Sequence, residues 1–241
     1  MRTRLTIMAI VLAAVAAALG TIILLSAMFG WLGLAIGVLG AAAVLVAYRL
    51  LVQPRQHRWG ATDQEVRRPM PGDDLILDAA STTRAITIAA PPEQVWPWLV
   101  QLGYGRGGWY SYDWIDNDGQ PSADRILPKL QQLQVGDQIL MLPEMGPRIR
   151  ELQPNRYLVA GDQESGSWCL ALYSTVNGCR LISRWRVDWP LTVATAFWVL
   201  LSDPGAFIME RKMLKGIKAR AERTATGKSE RVPSPRKDPV A

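Results

Sequence analysis

The side chains with the most scope for chemistry lie in one stretch, Arg84–Asn117, which holds four tryptophans. Small-molecule cavities are lined mainly by apolar and aromatic groups, and a few polar groups fix the orientation of the ligand. The stretch therefore predicts one wall of a ligand cavity, unless its indoles are ordinary core residues with locally satisfied N–H groups. The candidate ligand-binding residues, two of them from a later hairpin, are Trp96, Trp98, Gln101, Arg106, Trp109, Tyr110, Tyr112, Asp113, Trp114, Trp168 and Trp185.

The chain offers little for nucleophilic or metal catalysis. His57 is the only histidine, and Cys169 and Cys179 have neither metal-binding spacing nor a disulfide pattern. Catalytic Ser/His/Asp and Cys/His arrangements and a histidine-rich metal site are therefore excluded. We predict no catalytic residue, no metal and no cofactor. A proton-transfer enzyme would need a carboxylate or a tyrosine with a shifted pKa.

Charged and glycine residues of the same stretch allow two interpretations. Arg106 with Asp113 or Asp116 forms either a buried pair that orients a ligand or an exposed loop salt bridge, worth ~0–1 kcal/mol. The nearby glycines do not match a phosphate-binding fingerprint, because no helix follows them in a strand–helix–strand unit. They favour a flexible gate to the cavity.

The N-terminal part predicts a membrane anchor. No charged residue occurs from Leu5 to Tyr48, which is enough for two helical crossings of about 20 residues each, with a break near Ser26–Trp31. Basic residues flank both ends, so both termini and the remaining domain are predicted to be cytoplasmic, in a multi-pass protein of the inner membrane. A cleaved signal peptide is the alternative, but the first apolar run is long and a second follows at once. The net charge of +6 then fits topology and anionic lipid better than nucleic acid.

Gly33 and Gly37 form a G-x-x-x-G step. This step either lets the two helices approach closely or simply reflects the abundance of glycine in membrane helices.

The rest of the chain divides into a linker with a Thr62/Glu65 capping box, a folded domain and a polar tail. An alternating strand and a helix entered through two prolines lead into the tryptophan-rich loop. A long amphipathic helix capped by Asp203 closes the domain, after an apolar run, Pro190–Leu201, that is either a buried lid or a membrane-surface segment. The predicted domains are 1–52, 53–82, 83–224 and 225–241. The predicted strands are Arg84–Ala89, Gln138–Leu142, Arg148–Leu152, Tyr157–Ala160, Ser167–Val176 and Arg180–Trp189.

Asn177-Gly178 is the strongest hairpin signal in the chain. A two-residue turn there pairs Val176 with Cys179 and places Trp168 opposite Val187. One face then becomes apolar, and the other, with Arg180, Arg184 and Arg186, is predicted to be solvated. The two cysteines are far apart in this register, which argues against a disulfide.

The order of these elements resembles the START-like (SRPBCC) superfamily, which includes polyketide cyclases and lipid-transfer domains. The resemblance is carried by Ala90–Asn117, Ser122–Asp137, Arg180–Arg186 and Phe207–Glu222, with WGAT and PGD upstream. It implies an α+β helix-grip fold, in which a curved antiparallel sheet wraps a long C-terminal helix around an apolar cavity, here preceded by a two-helix transmembrane hairpin.

Three functions follow as hypotheses. The first is a membrane-anchored binding or transfer domain for a lipid or another hydrophobic small molecule. The second is a cyclase- or aromatase-like enzyme in which Arg106, Tyr110 or Asp113 positions the substrate. The third is a non-catalytic membrane partner protein. The absence of a pocket histidine favours binding over catalysis.

Overall fold

The computed structural model describes residues 2–77, 79–162, 166–188 and 193–226. The chain forms an N-terminal helical part, a five-stranded sheet and a long C-terminal helix, joined by short helices and loops. A π-helical segment, Tyr48–Val52, follows the first helix. The elements are α1 (Arg2–Ala47), α2 (Gln53–His57), α3 (Asp63–Arg67), β1 (Ala80–Ile88), α4 (Pro92–Val100), α5 (Asp113–Asp116), β2 (Ile149–Gln153), β3 (Tyr157–Asp162), β4 (Gly166–Thr175), β5 (Gly178–Val187) and α6 (Val193–Ala225).

The sheet is antiparallel, curved, and ordered β1-β5-β4-β3-β2. Its front face packs against α4 and α6 and carries the main core, in which Leu170, Leu181 and Leu214 are fully buried. The α+β class, the antiparallel sheet and the C-terminal helix predicted from the sequence are thus confirmed. The predicted strand Gln138–Leu142 forms only isolated bridges, to Arg148 and within its own turn.

The β4–β5 hairpin turns one residue earlier than predicted. Thr175 pairs with Gly178, and Trp168 pairs with Trp185 rather than with Val187. Gly178 is the first residue of β5, and its backbone passes close to β1: an added Cβ would lie 2.1 Å from the Ile88 carbonyl oxygen. The shift along β5 is an even number of residues, so the predicted apolar face is unchanged. Both cysteines are free, and both are buried, Cys169 on the face that was predicted to be solvated.

The back face of the sheet is covered, so its predicted exposure to solvent is wrong. The segment 59–77, predicted as a linker, packs Met70 on an apolar patch that includes Val159 and Ile182. Arg184 is buried beneath this layer and donates to the backbone carbonyls of Glu65 and Val66 and to the Asp73 carboxylate. A guanidinium with several fixed acceptors can be buried at acceptable cost.

A capping box explains where α3 begins within the segment 59–77 that covers the back face. The hydroxyl of Thr62 accepts a hydrogen bond from the backbone N–H of Glu65, and the Glu65 carboxylate accepts one from the backbone N–H of Thr62. This is the predicted capping box. Glu65 also receives two donors from Arg180 of β5, which ties α3 to the sheet.

Helix α6 begins before the predicted N-cap and runs through it. Asp203 therefore lies inside the helix, not at its start, and the following Pro204 interrupts the backbone hydrogen bonds there. The predicted apolar stripe is confirmed where Met213, Leu214 and Ile217 are buried against the front face. The side chain of Asp203 contacts residues from a much earlier part of the chain, as described below.

Helix α1 is apolar and largely exposed. Trp31, Leu39 and Ile23 are 81%, 69% and 67% exposed. Within α1, Gly30 has a non-helical backbone, with φ 59° and ψ −139°. A Cβ at Gly37 would lie 3.2 Å from the Ile22 side chain. Among the described residues, one helical stretch, Val15–His57, could cross a membrane by its length and composition.

Two predictions lie outside the described residues. One is the polar tail, most of which falls at 227–241. The other is the choice between a buried lid and a membrane-surface segment for Pro190–Leu201, which depends on side chains that the structure does not describe.

Candidate ligand-binding cavity

A cavity of about 500 Å³ lies between the front face of the sheet and α6. Inward positions of β1, β4 and β5 form one side, successive turns of α6 form the other, and the loop between α4 and α5 contributes Trp109 and Ser111. The lining residues are Thr82, Arg84, Trp168, Trp185 and Val187 from the sheet, Ser202, Asp203, Ala206, Met209, Glu210 and Met213 from α6, and Trp109, Ser111, Asp116 and Met141 from the loops and α5.

Three tryptophans form a continuous aromatic wall. The indoles of Trp168 and Trp185 are cross-strand partners and stack with 4.9 Å between ring centroids and 9° between planes. The Trp109 ring lies 5.8 Å from that of Trp168. Cross-strand aromatic pairs of this kind stabilise a sheet, and their edges and faces give an apolar ligand a rigid surface.

A buried polar chain crosses the wall of the cavity. The Nε1–H of Trp168 donates to Ser183 Oγ at 2.9 Å, and the Ser183 hydroxyl donates to the Glu210 carboxylate at 2.6 Å. The other Glu210 oxygen forms an ion pair with Arg84, whose Nε also donates to the Gln56 carbonyl at 2.9 Å. These groups are therefore satisfied within the protein.

A second polar cluster joins the segment that follows α1 to the cavity. The carboxylate of Asp203 accepts hydrogen bonds from Tyr48 Oη and Gln53 Nε2, each at 2.9 Å, and lies 2.9 Å from His57 Nε2. Burial alone would raise the pKa of Asp203, but these three partners together hold it below its ordinary value. The only histidine of the chain thus contacts a residue that lines the cavity.

Asp116 differs from the other carboxylates of the cavity. Its side chain is 3% exposed, and neither carboxylate oxygen has a hydrogen-bond partner within the described part of the chain. The nearby Ser111 hydroxyl donates to the Met209 carbonyl at 3.0 Å. Burial, and then the charge of neighbouring Asp113, raise the pKa of Asp116 to about 6, and the smaller opposing effects of the Ser111 hydroxyl and of the backbone N–H groups of Tyr112 and Asp116 do not offset them. An ionisable group perturbed in this way inside a cavity is a candidate functional residue.

Several sequence-predicted residues lie in the packed core beside the cavity. Trp98 is 1% exposed and packs edge-on against Tyr110 at 5.9 Å, and Trp96 is also buried. The Tyr110 hydroxyl donates to the Trp98 carbonyl and accepts from Gln101, whose amide also holds the backbone of the loop at Arg125 and Leu127. These contacts support the loop rather than face the cavity.

The remaining predicted residues stabilise the loop or face solvent. Arg106 donates to the Val100 carbonyl, and within the described residues it has no ion pair with Asp113 or Asp116. Asp113 instead accepts hydrogen bonds from the backbone N–H and hydroxyl of Ser122. Trp114 is 58% exposed. Tyr112 is partly exposed, with the ammonium of Lys212 5.8 Å from its ring centroid. Of the predicted set, Trp109, Trp168 and Trp185 line the cavity.

Sequence reasoning missed most of the polar lining, although two signals were present. Arg84 alternates with Ile86 and Ile88, so the pattern that buries the isoleucines also turns an arginine inward. Glu210 lies at helical spacing from Phe207 and Met213, within the apolar stripe of α6. An inward cation and an inward anion predict a buried pair. No comparable pattern in the sequence predicts that Asp116 faces inward; the sequence shows only that it lies three residues after Asp113.

Comparison with protein-family models found no match, and comparison with curated proteins found none either. The solved structures similar to this chain include a protein from Nitrosomonas europaea, at 11% identity over 65% of this chain and 99% of that one, with a TM-score of 0.40. A protein from Staphylococcus saprophyticus has 12% identity over 60% and 93%, with a TM-score of 0.39. A polyketide cyclase-like protein from Corynebacterium glutamicum has 17% identity over 64% and 87%, with a TM-score of 0.28. At such TM-scores these similarities carry no argument about the fold or function of this chain.

Proposed function

We propose that this protein is a membrane-anchored domain of START-like, helix-grip type that binds an amphipathic or hydrophobic small molecule. The observation that carries the proposal is the cavity between α6 and the front face of the sheet. Its volume of about 500 Å³ falls in the range of small-molecule sites, and its wall combines stacked indoles with a few buried polar groups.

The proposed membrane anchor favours a ligand that comes from the bilayer. We propose that α1 is a two-helix transmembrane hairpin that turns at Gly30. In a continuous helix, Ile22 and Gly37 would be about 22 Å apart, whereas a Cβ at Gly37 would touch Ile22. Exposed apolar side chains around both halves fit lipid contact, and the flanking arginines favour a cytoplasmic position for both ends and for the domain.

The hairpin is tested by the distance between spin labels introduced at Val15 and Val44. Antiparallel packing places the two helix axes about 8–10 Å apart at this level, whereas a continuous helix separates the two positions by ~43 Å. A single short distance in lipid nanodiscs supports the hairpin. A single long distance contradicts it.

Ligand binding is tested on the full chain, purified both in detergent and in lipid nanodiscs. Native mass spectrometry is expected to detect a co-purified apolar molecule, and Trp109→Ala should lower its occupancy because Trp109 lines the cavity. Trp114→Ala is the matched control, since Trp114 is an exposed indole close by in sequence. An empty cavity in both preparations, or equal loss in both variants, would contradict the proposal.

A second candidate function is catalysis of a proton transfer, as in a cyclase-like enzyme. The observation that favours it is Asp116, whose raised pKa of about 6 suits a general base near neutral pH. The sequence-based candidates Arg106, Tyr110 and Asp113 are engaged elsewhere. This candidate predicts turnover of a bound ligand that Asp116→Asn abolishes while ligand occupancy is kept.

A further inference from the structure

Three carboxylates line the cavity, and two of them already have partners. Glu210 pairs with Arg84 and accepts from Ser183. Asp203 accepts from Tyr48 and Gln53 and contacts His57. The polar needs of both are met before any ligand enters.

Asp116 has no such partner among the described residues, and it is buried in the same cavity. A buried carboxylate in this position is unfavourable, because hydrogen bonds of normal geometry do not replace its lost contacts with water. A donor brought by the ligand would remove this penalty. The Asp116 carboxylate therefore indicates that the ligand carries a hydrogen-bond donor.

The charge around the cavity selects the kind of donor. Arg84 is the only guanidinium or ammonium among the described lining residues, and Glu210 neutralises it. Asp113 adds a further negative charge beside Asp116. The indole faces of Trp109, Trp168 and Trp185 also attract cations. An anionic ligand would find no unpaired cation in this lining, whereas a cationic one would find both a carboxylate and aromatic faces.

We propose that the ligand of this cavity is a hydrophobic amine, whose protonated nitrogen pairs with Asp116 while its apolar part lies against the indole wall. The inference rests on the proposed binding function and names the ligand class for that site. The ion pair would be shielded from water, which strengthens it relative to an exposed pair.

The test compares three soluble probes of equal chain length: octylamine, 1-octanol and octanoate. Each is titrated into the full chain in nanodiscs, and binding is followed by tryptophan fluorescence and by calorimetry, with empty nanodiscs as the partition control. We expect octylamine to bind at least tenfold more tightly than octanol, and octanoate to bind most weakly. Asp116→Asn should remove the preference for the amine while octanol binding is kept.

Asp124→Asn is the matched control, because Asp124 is an exposed carboxylate outside the cavity lining, and it should leave all three affinities unchanged. If octanol binds as tightly as octylamine to the wild-type protein, or if Asp116→Asn keeps the preference, the amine proposal is overturned while the binding function stands. If none of the probes binds the wild-type protein and no ligand co-purifies, the binding function itself fails. The wild-type comparison decides the question even if the variant does not fold.

Discussion

Asp116 combines a cost to stability with a place in the cavity, which is a common property of functional residues. Its carboxyl group ionises near pH 6 in the folded protein, whereas an aspartate in an unfolded chain ionises near 3.9. Between these two values the folded state binds more protons than the unfolded state, so the free energy of unfolding falls as the pH rises. Above about pH 6 Asp116 is ionised in both the folded and the unfolded state, and its full cost to the free energy of unfolding is present.

We therefore expect Asp116→Asn to stabilise the protein at pH 8 by roughly 2–3 kcal/mol and to have little effect near pH 4. The measurement is the difference in unfolding free energy between variant and wild type as a function of pH, followed by tryptophan fluorescence. Other titrating groups cancel in this difference. A difference that does not grow between pH 4 and pH 6 would argue against an isolated, buried carboxylate.

The buried Arg84–Glu210 pair is expected to stabilise the fold, in contrast to the Asp116 carboxylate. Glu210→Ala leaves the guanidinium of Arg84 buried at 2% exposure without its carboxylate. Removal of one partner of a buried ion pair costs about 3–5 kcal/mol of unfolding free energy. Asp63→Ala breaks the exposed pair with Arg58 and should cost at most ~1 kcal/mol. Comparable losses in chemical unfolding of the two variants would contradict the assignment.

At the scale of elements, α6 is held against the tryptophan-rich loop by close backbone contact. A Cβ at Gly216 would lie 2.3 Å from the Tyr110 carbonyl oxygen, while a Cβ at Gly205, on the same helix, would meet nothing within 4 Å. Gly216→Ala should thus destabilise by about 1–3 kcal/mol through overpacking. Gly205→Ala should stabilise by up to about 1 kcal/mol through helix propensity. Thermal unfolding should show shifts of opposite sign, and shifts of the same sign would refute this packing.

The proposed hairpin in α1 gives a second prediction for an element. A Cβ at Gly33 would lie 1.8 Å from the Leu25 carbonyl oxygen, whereas a Cβ at Gly40 would meet nothing within 4 Å. Gly33→Ala should force the two halves apart and lengthen the Val15–Val44 spin-label distance. Gly40→Ala should leave that distance unchanged. An unchanged distance in Gly33→Ala would mean that the two halves do not pack at this point.

At the scale of the whole molecule, Asp203 connects the end of the apolar helical part to the cavity. Its partners Tyr48, Gln53 and His57 all lie between α1 and α3, and they come from more than 140 positions earlier in the chain. The carboxylate thus links α6 to the segment that follows α1. In the proposed function, this contact holds the cavity next to the membrane anchor.

We expect Asp203→Ala to loosen this junction, because Tyr48, Gln53 and His57 lose a shared acceptor. The measurement is amide hydrogen exchange of residues 48–57, which should rise at least several-fold, while Asp74→Ala, at an exposed carboxylate, should leave it unchanged. The pKa of Asp203 is lowered in the fold, so its contribution is present above about pH 4 and is lost as the pH falls through the folded-state pKa. Equal exchange in wild type and Asp203→Ala would show that the cluster does not hold the junction.

The amino-acid sequence by itself determined the features that depend on local pattern. An uncharged apolar stretch identifies α1, the Thr62/Glu65 spacing identifies the start of α3, and period-two alternation assigns the apolar face of the β4–β5 hairpin even though the register differs by two residues. The apolar stripe of α6 follows from helical spacing. Each of these depends on residues only a few positions apart, where backbone geometry fixes which side chains share a face.

Only the tertiary structure decided which polar groups are satisfied. Arg84 meets Glu210, and Asp203 meets Tyr48, across separations of 126 and 155 residues. Arg184 is buried because the segment 59–77 folds over the back of the sheet, and the loop that sequence reasoning made a ligand wall mostly supports its own backbone. Within the described residues, no donor from these distant elements forms a hydrogen bond with Asp116 in the cavity. Such pairings depend on how the elements pack in three dimensions, and no local pattern encodes that arrangement.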